Sequence, residues 1–457
     1  MVDMLSFETD DDRYIAELAE YVAIPSVSRD AAPDTMLRAA QWLLGKLDFA
    51  DARIVETGGH PAVIGGWFGA PGAPTVLIYG HYDVQPTGHL DEWTTPPFEL
   101  VRYGDRLRGR GVTDDKGPVY IALEVLRQFV AQEGALPLNV RFLFEGEEEI
   151  GSPHLPAYVR AHAEEFAADL VISADGAMWR PGEPSLSVAS KGLLALDIEV
   201  TGANRDLHSG RYGGTVANPA QALSRILASL HGADGSIAVP GFDDGIPALD
   251  DEERAEIAAV PFDDDEYRAD LGLAELFGQP GLSTLQRLWT RPTLEINGIT
   301  GGGSYTVIPH RAAAHLTCRL VPGQDPAAVA AALDRHIAGV SVPGVTVAVR
   351  FEDGAVPAYT IPADHPAIAA GRQALAEVYP GQPVLLARIG GTLPATTLFE
   401  DALGAKTLFF SFSTADELLH APNEFLRIER LREGMRAWEQ LLRLLADGEH
   451  RLTPVQR

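Results

Sequence analysis

Four short apolar, β-rich runs in this chain each stop at an acid or a histidine, and that repetition constrains the fold more than any other feature. Thr75-Val-Leu-Ile-Tyr79 runs into Gly80-His81-Tyr82-Asp83, and Asn139-Val-Arg-Phe-Leu-Phe144 into Glu145-Gly-Glu-Glu-Glu149. Leu170-Val-Ile-Ser173 runs into Ala174-Asp175, and Lys406-Thr-Leu-Phe-Phe-Ser411 into a loop with Asp416, Glu417 and His420. A fifth element, Asp114-Asp115, lies between Arg108 and Gly117, just ahead of a segment with apolar residues at helical spacing (Val119, Ala122, Leu126, Phe129). Ligands of open α/β sheets bind beyond the carboxyl ends of the strands, so these residues are expected to converge on one edge.

The style of the chain changes twice. Up to about Ser187, strands alternate with helices, as in a sheet covered by helices. Expected elements here include helices over Asp10–Tyr21, Asp34–Leu47 and Pro118–Gln132. From Leu193, the order is strand, helix (Pro219–Leu230), a loop-rich acidic stretch with one helix (Ala233–Leu282), strand (Arg311–Leu320), helix (Pro326–Ala338) and strand (Val345–Phe351). That order suits a small α+β, ferredoxin-like sandwich. After Asp364 the first style returns, with a helix over His365–Tyr379, a strand at Lys406–Phe412 and a long helix over Leu426–Leu445. The expected architecture is an α/β catalytic domain with a central mixed sheet, formed by residues 1–187 and 358–457. An α+β domain, residues 188–357, is inserted into it. A chain of 457 residues exceeds one ordinary core, in keeping with two domains.

Composition narrows the partners. The formal net charge is −28 (36 Lys and Arg against 64 Asp and Glu), which repels nucleic acid and anionic membranes. The excess is spread along the chain and serves solubility; the run Phe262–Glu266 reads as a solvated loop. The single cysteine, Cys318, shares a strand face with Ala314, Leu316 and Leu320 and reads as a buried, inert thiol. Residues Met1 to Arg13 lack a basic, then apolar leader, and no segment approaches the roughly 20 apolar residues of a membrane span. The cytoplasm is the expected location.

Taken singly, each acidic or histidine element has an ordinary reading. Asp83 could close a turn, Asp114-Asp115 could cap a helix, and Glu147–Glu149 could be a solvated acidic turn. Asp175 could be a turn residue and His420 a surface histidine. Jointly they call for metal: crowded carboxylates resist ionisation, and a divalent ion removes that penalty. A mostly oxygen donor set with imidazole from His81 and His420 suits zinc, manganese or cobalt better than copper or calcium. There are ligands enough for two ions, which lie roughly 3.5–4 Å apart when a carboxylate is shared. The chain has no His-Glu-x-x-His and no Gly-x-Ser-x-Gly. Gly301–Ser304 and Gly390–Thr392 read as backbone turns, and His60, His154, His231 and His336 carry no assignment.

Four segments together carry a resemblance: Gly80-His-Tyr-Asp-Val-Gln-Pro86, Gly109-Arg-Gly-Val-Thr-Asp-Asp-Lys-Gly117, Glu145-Gly-Glu-Glu-Glu-Ile-Gly-Ser152 and Asp206-Leu-His-Ser-Gly210. The chain resembles the cocatalytic-metal peptidases, a family of cytosolic nonspecific dipeptidases, carnosinases, aminoacylases, acetylornithine deacetylases and succinyl-diaminopimelate desuccinylases. Val84-Gln-Pro86, the Asp114-Asp-Lys-Gly-Pro118 run and Arg205 ahead of Asp206 look most like the dipeptidase branch. The resemblance implies two divalent ions, zinc foremost, with Asp114 bridging. One ion would also take His81 and Asp175, the other Glu149 and His420. Asp83 would hold the His81 ring, and Glu148 would be the general base for a metal-bridging hydroxide that attacks a peptide bond.

His208 would stabilise the oxyanion in the site of a partner subunit, making the chain a homodimer whose inserted domain acts as lid and dimerisation module. Thr306 and Arg319 match positions that hold the substrate carboxylate, with Asn297 and Thr392 further candidates. The usual Arg-Glu-Gly-Gly-Ser appears as Arg388-Ile-Gly-Gly-Thr392, so Ile389 and Thr392 alter one wall of the site. The expected activity is hydrolysis of dipeptides or similar small substrates. The motifs equally admit an N-acyl amino acid deacylase of the acetylornithine or succinyl-diaminopimelate type, and a metal-binding protein that has lost catalysis is the alternative outside enzymes.

Overall fold

The computed structural model describes residues 4–7, 11–340, 342–448, 450 and 452. Asp10, at the start of the first expected helix, lies outside them, as do residues 1–3, 8 and 9. The chain forms two compact units, one of residues up to Val188, Ile361–Ala387 and from Pro394 onward, the other of Ala189–Thr360 and Arg388–Leu393.

The first unit is built on a six-stranded mixed sheet in the order Asp51–Val55, Ala62–Trp67, Asn139–Glu145, Thr75–His81, Leu170–Ser173, Thr407–Phe409. The first two strands pair antiparallel, and Ala62–Trp67 pairs antiparallel with Asn139–Glu145. The last four are mutually parallel. Their registers align His81 with Glu145, Tyr79 with Ser173, and Ser173 with Phe409. Parallel pairing is why four separate runs that end in acids or histidines reach the same edge. These strands are apolar throughout because both faces are covered; Val76, Leu77, Ile78, Leu143 and Ile172 have no measurable exposure.

The helix Lys116–Glu133 has both its starting turn and its long face buried, and it packs against Ile428–Ala446. In the latter helix, Leu431, Met435, Trp438, Leu442 and Leu445 recur at helical spacing and are all buried. Trp438 meets Phe410 edge-on at 5.5 Å. Each such fully buried side chain contributes about 1.5–3 kcal/mol relative to exposure.

The second unit holds a four-stranded antiparallel sheet in the order Thr293–Thr300, Arg311–Leu320, Gly192–Thr201, Thr346–Phe351. With the helices Pro219–Ser229 and Pro326–Gly339, its chain order is βαββαβ, the ferredoxin-like arrangement. One face is the core: Leu194, Leu196, Ile198 and Val200 of one strand meet Ala314, Leu316, Cys318 and Leu320 of the next, with Ile226 and Leu333 from the helices. Cys318 is fully buried, and burial pushes its thiol up to about 12.

Two expectations need correction. The acidic stretch 233–282 carries two helices, Asp251–Ala259 and Asp264–Asp270, where one was expected. The run Phe262–Glu266 is not a plain loop. The Asp263 carboxylate accepts hydrogen bonds from Asp265 N and Glu266 N, and the acids that follow lie in a first helical turn, where the helix dipole favours negative charge. Among the described residues no helix is long and apolar enough to cross a membrane.

Candidate dinuclear metal site

At the carboxyl edge of the parallel strands, His81 is the last residue of its strand and is wholly buried. Its Nδ1 lies 3.0 Å from Asp83 O and 3.3 Å from Asp83 Oδ1. Its Nε2 lies 3.1 Å from Asp114 Oδ1. The Asp83 carboxylate also accepts from Glu148 N at 3.2 Å and Glu149 N at 3.0 Å. One buried acid therefore orients an imidazole and fixes the turn carrying two glutamates.

Asp114 stands between two imidazoles: its Oδ2 is 2.9 Å from His420 Nε2. His420 Nε2 is also 3.2 Å from Glu149 Oε2. Glu149 is steadied by Gln85, whose Nε2 donates to Glu149 Oε2 at 2.9 Å and Glu149 O at 3.1 Å. Asp115 occupies the helix N-cap position without a side-chain capping bond; its Oδ2 accepts from His81 N at 3.2 Å instead. The Asp114–Asp115 peptide is cis. Close approach here requires glycine at position 80, where a Cβ would sit 2.4 Å from Val119 and 2.7 Å from Asp115 Oδ2.

Two sets of three donors result, His81 with Asp114 and Asp175, and Asp114 with Glu149 and His420. Within each set the ligand atoms lie within 4.8 Å of one another, and Asp114 is common to both. Glu148 belongs to neither, and no side-chain hydrogen bond ties it down among the described residues.

The electrostatics fit divalent cations. Burial, with Asp114 and Glu149 adding to it, pushes Asp175 up to about 7. Burial also drives Glu148 well above the usual carboxylate range, reinforced by Asp175, Glu149 and Asp114 and opposed by His81. Asp115 is raised too, chiefly by burial. His420 is raised to about 10 by its bonds to Asp114 and then Glu149. Burial pulls His81 down, but its bonds to Asp114 and Asp83 outweigh this and raise it. Burial works on Asp114 too, yet the two imidazoles hold it well below the usual range. Without metal, protons on two histidines offset part of the crowding; divalent ions would take over that role.

The remaining expected site residues lie in the second unit. His208 closes a two-residue strand, Leu207–His208, paired with Val307–Ile308, and is exposed. Ser209 N donates to Thr306 O, so His208 and Thr306 lie side by side where the two short antiparallel strands meet. His208 Nδ1 accepts from Gly210 N at 3.1 Å, which leaves the proton of a neutral ring on Nε2. Asp206 braces this strand pair by accepting from His310 N at 2.9 Å, with the His310 ring 2.7 Å away. Arg319 Nη1 donates to Thr392 Oγ1 at 2.9 Å, bringing these two together. Asn297 joins neither pair; its Oδ1 accepts from Thr317.

Sequence reasoning missed Lys191, whose backbone N donates to Gly391 O and Ile389 O and whose buried ammonium donates to Arg291 O at 2.7 Å. Burial and then Arg319 lower it to about 8. A lone lysine at the start of a strand gives no signal for this. A third group of metal-capable donors, Asp197, His315 and Glu352, lies half-exposed on the second unit. There Arg350 already donates to Asp197 at 2.8 Å, occupying the place of a cation.

The family profile of "Peptidase family M20/M25/M40" matches residues 77–444, which include every residue of both donor sets. The chain belongs to this peptidase family. Among curated M20 relatives, it is 30% identical over 438 residues to the Beta-Ala-His dipeptidase of Rattus norvegicus, covering 90% of this chain and 89% of that one. It is 30% identical over 447 residues to the Cys-Gly metallodipeptidase dug1 of Schizosaccharomyces pombe, covering 93% and 94%. Among solved structures, the M20 family metallo-carboxypeptidase Sso-CP2 from Sulfolobus solfataricus superposes with a TM-score of 0.83. It is 30% identical, over 96% of this chain and all of that one. The match is thus to the dipeptidase branch of the M20 peptidases, metal-dependent hydrolases, along nearly the whole chain.

Proposed function

We propose that this chain is a metal-dependent dipeptidase that hydrolyses the peptide bond of small peptides. The observation that carries the reading is the pair of three-donor sets sharing Asp114, beside a glutamate that ligates nothing. His81 and Asp175 would hold one ion and Glu149 and His420 the other. The donor chemistry favours zinc, with manganese or cobalt also accommodated. When bound, the ions supply Lewis-acid polarisation of the carbonyl and acidify a water towards neutral pH.

Glu148 is the general base. Its carboxylate accepts the proton of the attacking water and delivers it to the leaving amine, which requires that it stay unligated. Burial and neighbouring carboxylates give it the raised affinity for a proton that such a shuttle needs. Asp83 keeps His81 in the Nδ1–H form, with Nε2 free as a donor atom.

His208 donates its Nε2 proton to the oxyanion, acting in the site of the partner subunit of a homodimer. Arg319, with Thr306, Thr392 and Asn297, receives the substrate carboxylate, for which a guanidinium offers a planar fork of donors. Ile389 removes a charge from that wall and so bears on specificity. In this reading residues 1–187 and 358–457 form the catalytic domain and 188–357 the lid and dimerisation domain, in a cytoplasmic enzyme.

A substrate panel tests the assignment. Zinc- or manganese-loaded protein should cleave unmodified dipeptides faster than N-acetyl or N-succinyl amino acids. Preference for the acylated amino acids would make the chain a deacylase, and release of C-terminal residues from long peptides would make it a carboxypeptidase.

A further inference from the structure

The loop that carries His420 is gripped at both ends by a buried carboxylate, and both carboxylates hold the turn that carries Asp114. At one end is Glu424. Its Oε2 accepts from Arg110 Nη1 at 2.6 Å and Gly111 N at 3.0 Å, and its Oε1 from Thr113 N at 3.1 Å and Asp114 N at 3.3 Å. Its backbone carbonyl accepts from Gly109 N. At the other end is Glu417. Its Oε2 accepts from the Thr113 hydroxyl at 2.5 Å and from Thr414 N at 3.1 Å, while its Oε1 accepts from Arg427. Ser413 Oγ closes the contact by donating to Thr113 O at 2.6 Å. Glu417, Glu424, Arg110 and Thr113 are all buried. Between the two grips, Leu418, His420 and Asn423 have φ near +60°, a region non-glycine residues seldom occupy unless their surroundings hold them there.

The two candidate metal positions are therefore supported differently. His81 ends a central strand and Asp175 follows another, so their placement comes from the sheet itself. His420 sits on irregular backbone, and its distance from Asp114 is set by the carboxylates that tie loop to turn. We propose that Glu424, assisted by Glu417, is a positioning residue that fixes His420 against Asp114 and so sustains the Glu149–His420 metal position more than the His81–Asp175 one, whose other ligands stand on the sheet. The inference rests on the dinuclear reading above. Glu424 touches neither ion nor substrate; it acts through three backbone amides and Arg110. Groups that orient metal ligands in this way are typically worth about 10–100-fold in metal affinity.

The test uses full-length protein stripped of metal and titrated with Zn²⁺ against a chelating competitor, with folding monitored by circular dichroism. For Glu424→Gln the second equivalent should bind about 10–100-fold more weakly than in the unaltered chain, and the first should lose less, because it shares Asp114 but not His420. Turnover lost at low zinc should return at high zinc with KM unchanged. Thr113→Val, which removes the hydroxyl's bonds to Glu417 and to Ser413 Oγ on the same loop and leaves Glu424 intact, should weaken the second equivalent in the same direction but less. It decides the matter if Glu424→Gln does not fold. Equal weakening of both equivalents, or of neither, would overturn the proposal while leaving the dinuclear reading intact. An unaltered chain that binds fewer than two ions would overturn both.

Discussion

Two groups of histidine and carboxylates in this molecule look alike on paper and behave in opposite ways. At the sheet edge of the first unit, Asp175 is half-buried among acids and pushed up to about 7. On the second unit, Asp197 is held below the usual carboxylate range, first by Arg350 and then by His315. The first group carries a surplus of negative charge that protons alone relieve; the second is already satisfied by a guanidinium. Donor type and spacing therefore do not distinguish a metal site from a surface ion-pair network. What distinguishes them is whether a cation is already supplied by the chain, and whether rigid elements hold the donors where water cannot screen them.

Asp114→Ala removes the donor common to both sets. It should abolish tight binding of both ions and lower turnover by about 10³-fold or more, the equivalent of several kcal/mol of lost charge stabilisation. Metal analysis and a dipeptide assay check this. Next, Asp83→Asn leaves every proposed ligand in place but loosens His81 and the Glu148–Glu149 turn. Metal affinity or turnover should fall about 10–100-fold, read by zinc titration.

A pH effect of the metal-free protein comes third. His420 has a folded-state value near 10 against an ordinary 6.5. Its contribution to stability is fully present below about pH 6.5 and is lost as pH rises through about 10. Asp175, raised from 3.8 to about 7, favours the protonated folded state and also loses stability as pH rises through that interval. The melting temperature of stripped protein should accordingly fall from pH 5 towards pH 10, and zinc should flatten the profile while releasing protons on binding. A metal-free melting temperature that climbs across this range would contradict the crowding argument. Smallest of all, Asp197→Asn should leave metal content and turnover unchanged and shift stability by no more than about 0.5 kcal/mol, measured by urea unfolding.

The proposed metal ligands were legible in the sequence because each follows a strand or precedes a helix, and parallel pairing brings such positions to one edge. The ferredoxin-like unit was legible because strands such as Arg311–Leu320 alternate buried and half-exposed residues with period two. The clamp was not, although Glu424 closes the short run His420-Ala-Pro-Asn-Glu424. Its partners, Arg110 to Asp114, lie more than 300 positions away in the chain, and no local pattern announces a carboxylate that binds backbone amides at that separation. Gln85 stood out only through the resemblance; its bond to Glu149, 64 positions on, has no local signature either. Asp263 could have been read as a helix cap, but the acids around it suggested only a solvated loop. The segment Arg388–Leu393 packs with the second unit although its chain neighbours on both sides belong to the first, an exchange no composition change marks.

In the proposed reaction a pair of divalent ions is held by five side chains while one glutamate is kept back to carry a proton. Glu148→Gln separates these two parts, since it deletes the base and spares the ligands. Zinc content and dipeptide turnover should be measured on the same preparation. Two ions retained with turnover reduced about 10²–10⁴-fold is the expected result, whereas turnover at the level of the unaltered chain would contradict it.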